Sequence, residues 1–171
     1  QKGKVKEFSD CDPGSFYATS KYCAEKLIES YVKYFEVINT RIFGLYGPGQ
    51  KDNLIDKIIK NVQSGNEITL ASGEGLFLTP IFIEDAIDSF ICLMNSPLPS
   101  PKLVVNLAGD EILSLHDIVF SISKVIDKSP IIKETGEEPK YLCGDNLNYN
   151  SIFGARNFID FEEGIRKTLN Q

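Results

Sequence analysis

The stretch Tyr17-Ala-Thr-Ser-Lys21 opens a long helical pattern that continues to about Phe35. Residues four apart on a helix share one face, so the Lys21 ammonium is expected near the Tyr17 phenol. A nearby cation favours the phenolate, and a phenol with such a neighbour can take or give a proton near neutral pH. The pair is a candidate acid/base. On its spacing alone, ordinary packing of the tyrosine beside a solvated lysine explains it as well.

Apolar residues cover a wide arc of this helix. One face has helical spacing, and further apolar residues lie elsewhere on the cylinder: Ala24, Ile28, Val32 and Phe35 on the first, and Tyr22, Cys23 and Leu27 away from it. A surface helix normally has a narrower apolar stripe against a single core. The pattern therefore predicts contact on two sides of the helix.

A strand over residues 37–43 follows and ends in Gly44-Leu45-Tyr46-Gly47-Pro48-Gly49. In open α/β sheets, ligands bind outside the carboxyl ends of the strands, so this Gly-rich exit is a candidate ligand loop. Gly44 and Gly47 serve a ligand there or only permit a tight turn. Tyr46 stacks on a substrate or fills the core, and the sequence does not choose between the two.

The rest of the chain alternates between helical and strand-like patterns. Ser72-Gly-Glu-Gly75 is expected to turn the strand 68–71 back onto a partner strand. The segments are a helix over 53–64, strands over 68–71 and 76–83, a helix from Glu84-Asp85 to Met94, a strand over 103–107, a helix over 114–126, mostly loop over 128–153 with a short helix near 145–153, and a last helix over 160–169. The order α-β-α-β-β-α-β-α-α predicts an α/β fold.

The composition is that of an ordinary globular protein. The chain has 171 residues, of which 42% are hydrophobic and 25% charged, and its net charge is -6. Nucleic acids and anionic membranes require basic surfaces, so neither is an expected partner. Asp and Glu suit a helix N-terminus, which explains Glu84-Asp85 without a site. His116 stands alone near a helix start and is expected on the surface.

The cysteines give no sign of a metal or redox centre. Cys11, Cys23, Cys92 and Cys143 are scattered and form no Cys-x-x-Cys, so no metal site is expected. Cys23 and Cys92 lie in apolar helical patterns and are predicted to be buried free thiols. No apolar run approaches the roughly 18 residues of a membrane span. A cytoplasmic, reducing location is therefore expected.

Several segments, taken in order, resemble one family. They are Pro13-x-x-x-Tyr17-x-x-Ser20-Lys21, Arg41-Ile-Phe-Gly-Leu-Tyr-Gly-Pro48, Gly73-Glu-Gly75, Phe82-Ile-Glu-Asp-Ala86, Val105-Asn-Leu-Ala-Gly109 and Phe161-Glu-Glu-Gly-Ile-Arg-Lys-Thr168. The set resembles the extended short-chain dehydrogenase/reductases of the NAD-dependent epimerase/dehydratase family, including nucleotide-sugar epimerases and dehydratases. Each motif is common, but their order and spacing across nearly the whole chain are specific.

The resemblance implies roles for named residues. Tyr17 would be the acid/base, and Lys21 would assist it and bind the nicotinamide ribose of NAD or NADP. The reaction would remove hydride from a carbon of a sugar or nucleotide sugar and return it. The loop after the strand would contribute Phe43 and Leu45 to the cofactor site and Gly44, Tyr46 and Pro48 to the substrate site.

The resemblance also implies an architecture. The fold would be the C-terminal part of a Rossmann-like NAD(P)-binding fold plus a small substrate-binding α/β subdomain. Residues 1–50 would be the remnant of the dinucleotide-binding domain, and residues 51–171 mainly the substrate subdomain, with residues 85–107 returning to the Rossmann sheet. The Tyr17 helix would join two subunits as a homodimer.

Parts of the expected site are missing from the sequence. No Gly-x-Gly-x-x-Gly occurs, and such a turn and a catalytic Ser or Thr are expected before Gln1 in a longer protein. The 171-residue chain by itself is therefore expected to be inactive.

Two departures concern the substrate. Gly44 stands where many nucleotide-sugar enzymes have Asn, and Leu78-Thr79 where many have an Arg for the diphosphate. Neither Leu78 nor Thr79 can make a charge-assisted contact. A non-catalytic scaffold or dimerisation module derived from the family is the alternative function.

Overall fold

The computed structural model describes residues 3–170 and shows a mixed α/β fold. Its helices and strands, in chain order, are α1 (Phe16–Glu29), β1 (Val37–Ile42), β2 (Leu45–Tyr46), α2 (Leu54–Ser64), β3 (Glu67–Ala71), β4 (Leu76–Leu78), β5 (Ile81–Phe82), α3 (Ile83–Asn95), β6 (Lys102–Leu107), β7 (Leu113–Ser114), α4 (Leu115–Ile126), β8 (Ile131–Thr135), β9 (Lys140–Leu142), α5 (Leu147–Phe153) and α6 (Phe161–Leu169). None of the described helices is long and apolar enough to cross a bilayer.

Strands β1 and β6 form a parallel pair beside one of the two apolar clusters. The register runs from Val37 opposite Lys102 to Ile42 opposite Leu107. Parallel neighbours need a long crossover, and here β2 to α3 supply it. The cluster beside the pair consists of Ile81, Ala86, Leu93, Leu103, Val105, Leu107 and Tyr149. This packing fixes the carboxyl ends of β1 and β6 next to each other.

The second apolar cluster is built by α2, α4 and α6 against β3 and β4. Its buried members include Ile58 and Val62 of α2, Ile118 and Ile122 of α4, and Ile165 of α6. Within α2 and within α4 the two named residues are four apart, which is the spacing of one apolar face. The division at about residue 50 that the resemblance implies stays a prediction.

Side-chain caps fix the starts of three helices where the sequence predicts them. Asn53 Oδ1 accepts the Asp56 N–H of α2 at 2.8 Å. Ser114 and Asp117 form a reciprocal capping box at the start of α4. Asp160 Oδ1 accepts the Glu163 N–H at the start of α6 at 2.9 Å. Each cap satisfies a backbone donor that the first helical turn leaves unpaired.

Helix α1 ends earlier than its periodicity suggests. It was expected to reach Phe35 but stops at Glu29, and residues 30–34 form turns. The N–H groups of Ser30 and Tyr31 bond to carbonyls three residues back, at 3.2 and 3.0 Å. Such bonds tighten the chain into 3₁₀-like turns, which keep roughly helical side-chain spacing and so escape sequence patterns.

The predicted hairpin between residues 68–71 and 76–83 is wrong. Strand β3 pairs in parallel with β8, whereas β4 pairs antiparallel with β7 and in parallel with β9. The turn at residues 72–75 exists, but Ser72 is held by the end of β8 and the chain just after it: its N–H bonds to Thr135 O and its hydroxyl to Glu137 O, both at 2.8 Å. The predicted second strand is also two short ones, because Pro80 lacks the N–H a continuous ladder needs.

The segment 128–153 is more ordered than predicted. It was expected to be mostly loop but contains β8 and β9, whereas the short helix expected near 145–153 is present as α5. The apolar residues of β8 are largely at the surface, with Ile131 51% exposed. A strand stabilised mainly by its backbone ladder leaves little hydrophobic pattern in the sequence.

The apolar surface of α1 is not buried by the described residues. No α1 residue is buried. Cys23, predicted to be a buried thiol, is exposed, and Cys92 is half-buried. Several large side chains of α1 and the turns after it are exposed: Phe16, Tyr17, Leu27, Ile28, Tyr31, Tyr34 and Phe35. The second contact predicted for this helix therefore stays a prediction.

Candidate active site

Tyr17 and Lys21 lie together at the start of α1. Ser15 caps the helix by accepting the Ala18 N–H at 3.1 Å, so Tyr17 stands in the first turn. The Lys21 Nζ lies 5.3 Å from the centroid of the Tyr17 ring, within the range of a cation–π contact. Tyr17 is 70% exposed, so its phenol is open to a ligand. The Ser20 hydroxyl donates to the Tyr17 carbonyl at 2.8 Å, a bond to the backbone of its own helix that is common for serine.

A second tyrosine–lysine pair on α1 has the same geometry, and sequence reasoning missed it. Lys26 Nζ also lies 5.3 Å from the centroid of the Tyr22 ring. Lys26, however, donates a hydrogen bond to the Glu29 carboxylate at 3.1 Å, and this bond raises the pKa of Lys26. Within residues 3–170, Lys21 has no carboxylate partner at salt-bridge distance. The two pairs have the same spacing in the sequence. They differ because Lys26 is paired with Glu29, whereas Lys21 has no carboxylate partner among the described residues.

An open groove of about 820 Å³ runs between α1 and β1. Tyr17 and Lys21 line one wall, and Asn39, Arg41 and Ile42 line the other. The Asn39 Nδ2 is buried and has no hydrogen-bond partner among the described residues. A buried amide without a partner is uncommon and points to an acceptor from outside these residues. The groove could therefore hold a hydroxyl-rich group such as the ribose of a cofactor.

Arg41 anchors α1 to β1. Its Nε and Nη2 donate to both carboxylate oxygens of Glu25 on α1, at 3.0 and 2.6 Å, and its Nη1 donates to the Glu7 carbonyl at 2.8 Å. The hydrogen bond with Glu25 raises the pKa of Arg41 further above its ordinary value. A bidentate pair fixes orientation as well as distance. Glu25 lies four residues after Lys21, so the anchor sets the position of the candidate site, a role that the sequence analysis missed.

The loop after β1 begins with a backbone that only a small residue fits easily. Gly44 has φ +63°, and a Cβ there would lie 3.0 Å from the Pro80 Cα. This close approach gives a structural reason for glycine where many nucleotide-sugar enzymes have Asn. Phe43 donates its N–H to Leu107 O at 2.8 Å, and Leu45 pairs with Ile81 in a short parallel ladder. The cofactor roles of Phe43 and Leu45 and the substrate role of Gly44 stay predictions.

Tyr46 fills the core in this structure. It is 1% exposed, and its ring lies 5.5 Å from the Phe82 ring and 5.1 Å from the Phe161 ring, centroid to centroid. Burial, followed by the nearby Asp85 carboxylate, raises the pKa of the Tyr46 phenol, so this tyrosine keeps its proton at neutral pH. Pro48 is half-buried. The substrate roles predicted for Tyr46 and Pro48 stay predictions.

The other polar candidates have structural partners. Thr79 is buried, and its hydroxyl accepts the Gly144 N–H at 2.9 Å. Glu84 pairs with Lys167 of α6 at 2.7 Å, and Asp85 accepts the Ile159 N–H at 3.0 Å. Burial raises the pKa of Asp85. The acidic pair thus stands in the first turn of α3, as predicted for a helix start, and also ties that turn to the segment around α6.

Of His116 and the four cysteines, Cys11 alone lines the groove as the described residues form it. His116 is exposed and lies 4.4 Å from the Phe120 ring, centroid to centroid. Cys11 lines the groove and is exposed. Across the part of the chain that the structure describes, no three His, Cys, Asp or Glu side chains cluster closely enough to hold a metal ion.

Known proteins share both the sequence pattern and the fold. A sequence model described as the NAD dependent epimerase/dehydratase family matches residues 2–108. UDP-glucuronic acid decarboxylase 1 of Xenopus tropicalis is 25% identical over an alignment of 167 positions that covers 92% of this chain and 39% of the relative. The dTDP-D-glucose 4,6-dehydratase of Mus musculus is 25% identical over an alignment of 176 positions that covers 95% of this chain and 49% of the relative.

Two solved structures show the likeness of the fold. The UDP-glucuronic acid 4-epimerase of Bacillus cereus, in complex with UDP-glucuronic acid and NAD, superposes with a TM-score of 0.84 at 23% identity and covers 98% of this chain and 55% of that one. The NAD-dependent NDP-hexosamine 5,6-dehydratase TunA, involved in tunicamycin biosynthesis, gives 0.79 at 29% identity, with 95% and 55% covered. The chain therefore has a Rossmann-like α/β fold and spans about half the length of the proteins it matches.

Proposed function

The chain belongs to the NAD-dependent epimerase/dehydratase family, and from this membership we propose that it carries the acid/base end of an enzyme that acts on a sugar or nucleotide sugar by transient hydride transfer to NAD or NADP. The observation that carries the proposal is the Tyr17–Lys21 pair. Its phenol is 70% exposed, its lysine has no carboxylate partner among the described residues, and both line a groove of about 820 Å³.

The residues that line or adjoin the groove have different proposed roles. In this proposal Lys21 binds the nicotinamide ribose from the α1 wall of the groove, opposite the wall that contains Asn39. Phe43 and Leu45, at the carboxyl end of β1, complete the cofactor contacts that this chain can make. When bound, the nicotinamide ring supplies a hydride acceptor and donor.

Tyr17 moves the proton that accompanies the hydride. Its phenolate takes the proton of a sugar hydroxyl while the carbon of that hydroxyl loses hydride, which leaves a carbonyl on the sugar. In the reverse step the Tyr17 phenol returns the proton as hydride returns to the carbon. The Lys21 ammonium stabilises the phenolate before the first step and again after the second, because an opposite charge within a few ångströms favours the ionised form.

The substrate proposal rests on the relatives. They include enzymes whose names specify UDP-glucuronic acid and dTDP-glucose, and the B. cereus structure contains UDP-glucuronic acid and NAD. We propose substrate contacts at Gly44 and Pro48, in the loop after β1, with the buried Tyr46 ring supporting that loop from the core. A homodimer through the exposed apolar side chains of α1 is part of the same proposal.

A non-catalytic scaffold is the second candidate. The observation that favours it is the large exposed apolar surface of α1, which a dimerisation module would use without any turnover. The absence of a cationic side chain at Leu78 and Thr79 favours it too, because a diphosphate is normally held by charge-assisted contacts.

Turnover separates the two candidates. The protein expressed in full from its gene is incubated with NAD and, in turn, UDP-glucuronic acid, UDP-glucose and dTDP-glucose, and the sugar products are separated by chromatography. An enzyme of the proposed type converts at least one sugar and shows transient absorbance of reduced nicotinamide. A protein that binds NAD in a thermal-shift assay but converts none of a broad panel of sugars, with no such absorbance, would favour the scaffold.

A further inference from the structure

A small apolar pocket lies beside the loop predicted to contact the substrate. It has a volume of about 190 Å³ and is bounded by Gly44, Leu54, Leu76, Leu78, Pro80 and Leu142, with Leu45, Asn53 and Ile55 completing its wall. It lies just beyond β1, on the side of Gly44 where the carboxyl ends of parallel strands commonly bind ligands. We propose that this pocket binds an apolar group of the substrate, about the size of one six-membered carbon ring, rather than a phosphate. The inference rests on the proposed function for its link to substrate.

The lining carries no charge. Among the described residues, no Lys, Arg, Asp or Glu lines the pocket. A phosphate placed there would lose water without gaining an opposite charge, which is costly in a partly dry site. Leu78 is 4% exposed and packs in the core, and β4 contains no Lys or Arg. The chemistry of the walls therefore selects against diphosphate.

The few polar atoms at the rim are already occupied. Asn53 Oδ1 accepts the Asp56 N–H at 2.8 Å, and its Nδ2 donates to Gln50 Oε1 at 2.6 Å. The Gly44 carbonyl accepts the Ile81 N–H at 3.3 Å. A ligand in this pocket thus meets leucine methyl groups and a proline ring rather than free donors or acceptors. Such a lining binds through burial of apolar surface.

The size of the pocket fits a ring. An engineered apolar cavity of about 150 Å³ in another protein stays dry and binds benzene. At about 190 Å³, this pocket has room for a ring of that size with one small substituent. Leu54 and Leu142 are 38% and 50% exposed and form its mouth, so a group carried by a larger molecule can enter from solvent.

The pocket gives a testable substrate class. Together with Tyr17, which acts on a hydroxyl, it favours a sugar or another polyol that carries an apolar substituent. Binding is measured by methyl NMR on the full protein with labelled leucines, using benzyl alcohol as the apolar probe and inorganic pyrophosphate as the charged one. Benzyl alcohol is expected to shift the methyl signals of Leu54, Leu76, Leu78 and Leu142 with saturation, and pyrophosphate to leave them unmoved.

Two exposed positions provide variants that keep the fold. Leu142→Asp places a carboxylate at the mouth, and Leu54→Asp does so in the first turn of α2, where an acidic residue suits the helix dipole. Each is expected to weaken benzyl alcohol binding about tenfold, the equivalent of about 1.4 kcal/mol. Leu147→Asp, at a 67% exposed leucine that does not line the pocket, is the matched control and should bind like the unchanged protein.

Three outcomes would overturn the inference: shifts that do not saturate with benzyl alcohol, equal weakening by Leu147→Asp, or pyrophosphate moving the same methyl signals. None of these measurements involves NAD or turnover. A protein that converts sugars but fails here refutes the apolar pocket alone, and a protein that passes here but converts nothing refutes the proposed reaction alone.

Discussion

Three tyrosines of this chain show how surroundings, rather than residue type, define an acid/base candidate. Tyr17 and Tyr22 lie on one helix with a lysine 5.3 Å from each ring, but the lysine beside Tyr22 is engaged by Glu29. Tyr46 is buried, and its raised pKa keeps it protonated. Among these three, only Tyr17 joins an exposed phenol to an ammonium without a carboxylate partner within the described residues. Tyr34 is also exposed and lies 4.9 Å from the Lys33 ammonium, but it does not line the groove. The sequence motif identified the Tyr17–Lys21 pair. That Lys26, beside Tyr22, is paired with Glu29 could be seen only from the side-chain positions in the structure.

The buried phenol of Tyr46 makes a prediction for alkaline unfolding. The folded chain holds this proton more tightly than the unfolded chain, whose phenol titrates near pH 10. Its contribution is fully present below that pH and is lost as pH rises above it, by up to about 1.4 kcal/mol per pH unit. Tyr46→Phe keeps the ring, so urea unfolding should show a smaller alkaline loss of stability than in the unchanged protein.

The exposed Tyr34 supplies the control for this measurement. Tyr34 is 71% exposed, and Tyr34→Phe should leave the alkaline slope as it is. Parallel slopes for Tyr46→Phe and the unchanged protein would show that the buried phenol is not linked to folding.

At the scale of the elements, the joint between α1 and β1 holds the candidate site in place. Arg41 and Glu25 form a bidentate pair whose side chains are 23% and 14% exposed. The periodicity of α1 predicted its apolar residues but not this ion pair, because a glutamate on an amphipathic helix is normally read as solvated. Nothing local in the sequence indicates the pairing, because Arg41 lies 16 residues after Glu25 on another element.

Removing one partner of this joint should loosen α1. Glu25→Gln leaves the Arg41 guanidinium half-buried with its strongest acceptor weakened, at an expected cost of about 1–3 kcal/mol in the free energy of unfolding. Urea unfolding followed by far-UV circular dichroism measures the change. The matched variant is Glu162→Gln, which removes a carboxylate from exposed contacts with Lys124 and Arg166 and should change stability little. Equal effects of the two variants would contradict a structural role for the joint.

The strands show where local reasoning fails. Local sequence patterns were sufficient to predict five of the elements: strands β1 and β6 and the capped helices α2, α4 and α6. The partner of β3 could not be, because β8 lies about 60 residues further on and carries few buried side chains. A turn signal at residues 72–75 favoured the nearest strand, but Ser72 hydrogen-bonds to Thr135 at the end of β8 and to Glu137 just after it, which accompanies another pairing.

At the scale of the whole molecule, the largest feature without a partner in the described chain is the apolar surface of α1. A homodimer would bury it. Tyr31→Glu or Leu27→Glu, at positions 49% and 70% exposed, should shift the full protein from dimer to monomer in sedimentation velocity, because a charge in an apolar interface is costly.

The control for the dimer lies on another surface. Ile112→Glu, at a 49% exposed position between β6 and β7, should leave the sedimentation coefficient unchanged. An unchanged protein that sediments as a monomer at every concentration tested would contradict the dimer.

Also at the scale of the whole molecule, the 171-residue chain by itself is expected to be inactive. The family and the α/β class followed from the sequence, because motif order is preserved along the chain. A complete cofactor site could not be predicted from the sequence, since no Gly-rich phosphate turn occurs in these 171 residues. The purified chain by itself should give no turnover of NAD with the sugars named above, and detectable turnover would show that these residues suffice.

The central claim is that Tyr17 is the acid/base, and a pair of conservative variants tests it most directly. Tyr17→Phe and Tyr22→Phe each remove one hydroxyl from α1 beside a lysine at the same distance. The steady-state rate of sugar conversion by the full protein is compared for the two. A positioned acid/base contributes about 10²–10⁴-fold, so Tyr17→Phe should slow turnover by that factor and Tyr22→Phe should retain most of the rate. Equal rates in the two variants would contradict the claim.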